Sequence, residues 1–154
     1  MNLTNRLAEL GLALPPAPTP VGSYVPALVA GGLCYTSGQL PLVNGVMLHP
    51  GLVGREVSEQ QAAEAARAAL LNALACLHAV LDGRMDRLLR VARLTCYVAS
   101  APGFHAQPRI ANAASDLLVA LFDEAGKHTR CAVGVAELPL GACVELDLIL
   151  HVHP

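Results

Sequence analysis

The sequence predicts a single α+β domain, a mixed β-sheet with two helices packed on one of its faces. Three observations predict it. Apolar residues recur at sustained helical spacing in two long segments, from Ser58 to about Leu81 and from Pro108 to about Ala125. Residues alternate with period two in the segments before, between and after them. The resulting order is strands, helix, strand, helix, two strands, which suits two helices laid on one side of a sheet. A length of 154 residues fits one such domain, 1–154, with residues 1–20 as an attached helix and proline-rich strap.

Taken in order, Thr4 is placed to cap a short helix through Leu10, with Leu3, Leu7 and Leu10 on one side and Gly11 to stop it. Pro15, Pro16, Pro18 and Pro20 then remove donors and fix φ, so residues 14–20 are an extended strap. Tyr24 to Val29 and Leu33 to Ser37, joined by Gly31-Gly32, read as a hairpin. Turn and loop follow to Gly54, with one small strand at Val46 to Leu48. Ser58 and Gln61 form a capping box, and the helix they open carries Ala62, Ala66, Ala69, Leu70, Ala73, Leu74, Leu77 and Leu81 on its apolar face.

Arg90 to Ser100 alternates as a strand, Ala92, Leu94, Cys96 and Val98 against Val91, Arg93, Thr95 and Tyr97. Pro108 opens the second helix, Ile110, Leu117, Leu118, Leu121 and Phe122 form its buried stripe, and Gly126 follows its end. The last strand splits most sharply, with Val144, Leu146, Leu148, Leu150 and Val152 opposite Cys143, Glu145, Asp147, Ile149 and His151. In the strand before it, Arg130, Ala132 and Gly134 separate from Cys131, Val133 and Val135. A face holding Arg130, Glu145 and Asp147 is too polar for a core and too apolar to be wholly wet, so it is expected to meet other copies of the chain.

Composition excludes several classes of function. The chain is 54% hydrophobic and 14% charged with a net charge of −2, and Lys127 is its only lysine, so no basic stripe offers itself to a phosphate backbone. Five cysteines in apolar segments, an odd number without a CxxC pair, read as reduced thiols of a cytoplasmic protein. Arg6 and Glu9 argue against a signal peptide, and no membrane span is expected. His151 and His153 lack a third ligand nearby and read as a solvated tail, while His128 beside Lys127 is expected to help the end of the second helix.

Arg130 and Glu145 carry the chemistry. They lie on two consecutive strand-like runs separated by a turn at residues 137–142, and a hairpin there would place a guanidinium beside a carboxylate. That pair suits an anion clamp next to a general acid/base.

Several segments together resemble the RidA (YjgF/YER057c/UK114) family of small enamine/imine deaminases over about residues 20–152. They are Val21-Gly22-Ser23-Tyr24, Tyr35-Thr36-Ser37-Gly38-Gln39, Ile110-Ala111-Asn112-Ala113, Thr129-Arg130-Cys131-Ala132-Val133, and Leu138-Pro139 followed by Val144-Glu145-Leu146. The resemblance implies a chorismate-mutase-like fold, a barrel-forming homotrimer and clefts between subunits. It implies that Arg130 holds a substrate carboxylate, that Glu145 directs water and protons, and that Tyr24, Ser37, Gly38 and Asn112 line the cleft. No metal or organic cofactor is implied. The chain departs from the family pattern in having Ala132 where many members have cysteine and Ser23 where proline is frequent. It also has a long loop at residues 40–57 and an additional N-terminal helix. These features resemble a longer, less characterised branch.

Structural readings stand beside these. Arg130 could neutralise Glu145 or Asp147 in an ion pair, Tyr24 could pack, Ser37 could form a turn, and Asn112 could bond locally. For function, hydrolysis of 2-aminoacrylate-like enamines and imines stands first. A trimeric binding or sensing protein for a small carboxylate stands second. RNA cleavage stands third, against the low charge and few aromatics.

Overall fold

The computed structural model describes residues 3–20 and 22–153. Val21, which opens the first of the resembling segments, lies outside them. The helices are α1 (Leu3–Glu9), α2 (Glu59–Val80) and α3 (Gln107–Phe122). The strands are β1 (Ala27–Ala30), β2 (Leu33–Thr36), β3 (Leu42–Val43), β4 (Val46–Met47), β5 (Leu88–Ala99), β6 (Thr129–Val135) and β7 (Val144–Val152). The expected α+β architecture is present: a five-stranded mixed sheet, ordered β1-β2-β7-β5-β6, carries α2 and α3 on one face. β3 and β4 form a separate two-stranded ribbon.

Local chemistry sets the helices. Ser58 Oγ accepts from Gln61 N at 3.2 Å and Ser58 N donates to Gln61 Oε1 at 2.9 Å, closing the capping box of α2. Ala62, Ala66, Ala69 and Ala73 are fully buried with Leu70, Leu74 and Leu77, their small side chains letting the helix approach the sheet closely. α2 is long and apolar enough to cross a bilayer by length and composition alone, but it is the core helix of this domain. α1 starts at Leu3, so Thr4 lies within its first turn instead of capping it. Leu10 falls beyond the last turn and is exposed, whereas Leu3 and Leu7 are buried. Arg6 Nη2 donates to the Ala120 carbonyl at 3.0 Å, which ties α1 to α3.

Strand order overturns one expectation from the sequence. β6 and β7 are consecutive but not paired: β5 lies between them, parallel to β6 and antiparallel to β7. β5, α3 and β6 form a parallel crossover unit, and the chain then steps over β5 to add β7 on its other side. Arg130 and Glu145 are therefore not hairpin partners.

A second correction concerns the faces. Arg130 pairs with Leu94, whose side chain is in the core, and so projects on the helix side of the sheet. Glu145 pairs with Tyr97 and Asp147 with Thr95, on the opposite, open face. The expected facial split of β7 holds, with Val144, Leu146, Leu148, Leu150 and Val152 fully buried. On β5, however, Val91 sits in the core with Leu94, because the register shifts between Val91 and Arg93 and the extra residue, Ala92, reverses the alternation. The Thr129 hydroxyl donates to the Ala92 carbonyl at 2.7 Å, tying the start of β6 to this bulge.

Gly126 ends the short turn after α3, but left-handed freedom is not its role. A Cβ there would lie 2.2 Å from the Leu118 carbonyl oxygen, so glycine is required by close approach to α3. The five cysteines are free, and burial pushes the thiols of Cys34, Cys76 and Cys143 up to about 11 and that of Cys96 to about 12.

Candidate functional site

The sequence-predicted residues fall into two groups within one chain. The first surrounds Glu145. Past Thr36 the chain leaves regular pairing, and Gln39 rejoins β7 through two backbone bonds with Leu146, of 2.8 and 3.1 Å. This stitch drapes Gly38 across Glu145, where a Cβ on Gly38 would lie 2.0 Å from Glu145 Oε1. Only a residue without a side chain permits that contact.

Gly38, Glu145 and Tyr24 line a cleft of about 330 Å³ whose other walls include Pro18, Pro20, Pro139 and Leu140. Ser37 belongs to the scaffold of this cleft. Its hydroxyl donates to the Val25 carbonyl at 2.7 Å, holding the segment that carries Tyr24 and Pro26. Sequence reasoning missed Asn72, the one polar residue buried in α2, which donates to the Leu40 and Leu42 carbonyls at 2.9 and 3.0 Å. It pins the loop that forms one side of the cleft, and an amide within an apolar helical stripe was the available signal.

Burial raises the pKa of Glu145, and the neighbouring Asp147 carboxylate raises it further. Burial likewise raises Asp147, partly offset by the Thr95 hydroxyl and the Arg93 guanidinium. Tyr97, across from Glu145, is raised by burial and by both carboxylates. Glu145 is thus a carboxyl held above its ordinary range at the wall of a largely apolar cleft, suited to exchanging protons with a bound water.

The second group surrounds Arg130 on the helix face. Arg130 Nη1 donates to Asn112 Oδ1 at 2.8 Å and to Ser115 Oγ at 3.1 Å, two acceptors one turn apart on α3. Asn112 is therefore a partner of the arginine and stands apart from the cleft around Glu145 within the chain. Among the described residues no carboxylate pairs with Arg130, so the ion pair with Glu145 or Asp147 is not formed within the chain. Both Nη1 hydrogens are taken by neutral acceptors, which leaves the edge formed by Nε and Nη2, a planar fork that fits a carboxylate side-on. Ser115 and His128, which bond each other here at 3.0 Å, are the further residues that sequence reasoning missed. Their signals were the two-residue spacing of His128 and Arg130 and the helical spacing of Asn112 and Ser115.

A mixed sheet with this strand order, two covering helices and an acid and an arginine on opposite faces defines a domain of the YjgF/chorismate mutase-like class. The profile of the family described as "YjgF/chorismate_mutase-like, putative endoribonuclease" matches residues 4–151, and the chain belongs to that family. Protein TCP17 of Trypanosoma cruzi is 41% identical over 150 residues, covering 96% of this chain and 92% of that protein. The crystal structure of Atu1372 from Agrobacterium tumefaciens, a protein of unknown function, superposes with a TM-score of 0.92 at 42% identity, over 98% of this chain and 92% of that one. A "putative endoribonuclease" from Shewanella oneidensis superposes with a TM-score of 0.93 at 30% identity, over 99% and 100% of the two chains.

Proposed function

We propose that the protein is a cytoplasmic, cofactor-independent deaminase that hydrolyses small enamine and imine carboxylates to 2-oxoacids and ammonia. Its site is completed between subunits of a homotrimer. The observation that carries this reading is the arginine without an internal counterion: Arg130 offers a free guanidinium edge, while the raised acid Glu145 waits in a cleft on the other face of the sheet. Neither group reaches the other in one chain, and a neighbouring copy would supply the missing half. The position of β6 supports this, because it is an edge strand whose open backbone groups favour a partner. The open face also carries Leu28, Tyr35 and Val133, each more than a third exposed in the single chain.

An enamine is first protonated on carbon by solvent to give the iminium ion, the protonated imine. Arg130 then holds the carboxylate, and Glu145 takes a proton from water as the oxygen bonds to the iminium carbon. The acid returns that proton to nitrogen in the tetrahedral carbinolamine. It accepts the hydroxyl proton as the C–N bond breaks, and ammonia carries this last proton away as ammonium. The proline and leucine walls of the cleft suit an apolar substituent on the imine.

Two measurements test the proposal. Imine generated in situ by an amino-acid oxidase should decay faster with the protein present, and an unchanged lifetime would count against hydrolysis. Co-expressed Arg130→Ala and Glu145→Gln chains should regain activity that neither has alone, because about one quarter of randomly mixed interfaces unite an intact arginine with an intact acid. Failure of the mixture to recover activity would sink the shared site. Pyruvate binding without ammonia release would select a binding protein instead. Salt-sensitive RNA cleavage would select the activity named in the family's description, which the net charge of −2 does not favour.

A further inference from the structure

Arg130 is connected through side chains to the backbone of the turn that follows α3. His128, just before β6, and Arg130 are two residues apart and both reach Ser115 on α3, and His128 Nδ1 lies 2.6 Å from the Gly126 carbonyl oxygen. A carbonyl only accepts, so Nδ1 carries the hydrogen. In the neutral ring Nε2 is then a lone pair, and the Ser115 hydroxyl, 3.0 Å away, donates to it. That fixes the direction of the Ser115 hydrogen and turns an oxygen lone pair toward Arg130 Nη1 at 3.1 Å. The relay is anchored firmly, because Gly126 is wedged against Leu118 too closely for any Cβ. His128 thus satisfies the carbonyl that ends the turn, as expected of a residue at a helix end, but its other nitrogen acts on the arginine.

We propose that Ser115 and His128 are positioning residues that lock the Arg130 guanidinium, with Asn112, so that its Nε/Nη2 edge is preorganised for a carboxylate. This rests on reading Arg130 as the carboxylate clamp. Preorganisation matters because an exposed arginine otherwise loses rotamer freedom when it binds. The relay acts on ground-state binding and leaves the Glu145 side of the site untouched.

The test uses the full-length protein and pyruvate as the probe. Ser115→Ala leaves one Nη1 hydrogen without its acceptor and is expected to weaken pyruvate binding and raise KM roughly tenfold, with kcat little changed. Ser115→Thr, which keeps the hydroxyl, should restore wild-type affinity. His128→Ala should resemble Ser115→Ala, and the double variant should be no worse than either, because both act through one hydrogen bond. Additive losses, or a Ser115→Ala protein with unchanged KM, would overturn the proposal. The side-chain nitrogen spectrum of Arg130 gives a readout that does not depend on ligand. Slow rotation about Nε–Cζ in the wild type, accelerated in Ser115→Ala, supports the lock, whereas equal rates overturn it. If wild-type protein binds no pyruvate, the clamp reading fails, and these spectra still decide whether the lock exists.

Discussion

Adding one methyl group at Gly38 should disable the site while leaving the fold in place. The Cβ of Gly38→Ala would sit 2.0 Å from Glu145 Oε1, whereas ordinary contact begins near 3.4 Å, so the carboxylate must retreat by roughly 1.4 Å. The neighbouring atom is the tip of a flexible side chain, and Gly38 does not use the left-handed backbone region, so alanine adds no backbone strain. The cost in stability is therefore expected to be small, about 1 kcal/mol or less. A displacement of this size between an acid and its reacting water costs on the order of 100-fold in rate. Single-turnover decay of an imine, followed beside thermal unfolding, separates the two effects. The expected result is a kcat reduced about 100-fold, unchanged pyruvate affinity through Arg130, and a melting temperature within a few degrees of wild type. Wild-type kcat in a folded Gly38→Ala protein would refute the placement of Glu145 at the reaction.

Arg130→Lys keeps the charge but loses the planar fork, and calorimetric titration with pyruvate should show affinity lowered about 10- to 100-fold with stability unchanged. Asn72→Ala strips two carbonyls of their donor and should cost about 1–3 kcal/mol in denaturant unfolding, with faster amide exchange in the loop at residues 40–48. Asp147→Asn should stabilise the protein at neutral pH but not below about pH 4. Asp147 and Glu145 have raised pKa values in the folded state, so their ionisation removes stability as pH rises through those values, and melting curves across this range would show the gap opening.

What could be read from sequence was whatever local periodicity determines. The capping box and apolar stripe of α2 are contained in one stretch of chain, and the alternation of β7 is so complete that its buried face is unambiguous. Strand order was not legible, because the connection at residues 136–143 is long enough either to turn back beside β6 or to cross β5. The face of Arg130 was equally hidden. Alternation separated Arg130, Ala132 and Gly134 from Cys131, Val133 and Val135, but neither set is apolar enough to declare itself the core, and the more hydrophobic set faces away from the helices. The bulge at Ala92 shows no mark in the residue pattern, since both Ala92 and Val91 are tolerable inside.

Topology turns these failures into a functional constraint. A parallel crossover places β6 beside its own helix, so a long side chain on the helix face of β6 is held by acceptors from α3, as Arg130 is by Asn112 and Ser115. β7, inserted on the far side of β5, presents its acids to the opposite face. No side-chain rotation within one chain can bring a guanidinium and a carboxyl together through a packed sheet with a strand between them. If both groups act on one substrate, they do so from different subunits, and assembly also removes the water that would weaken the guanidinium–carboxylate pairing at an exposed arginine. Oligomerisation on this reading is part of the chemistry, because the isolated chain holds a clamp with nothing opposite it and an acid with nothing to hold its substrate.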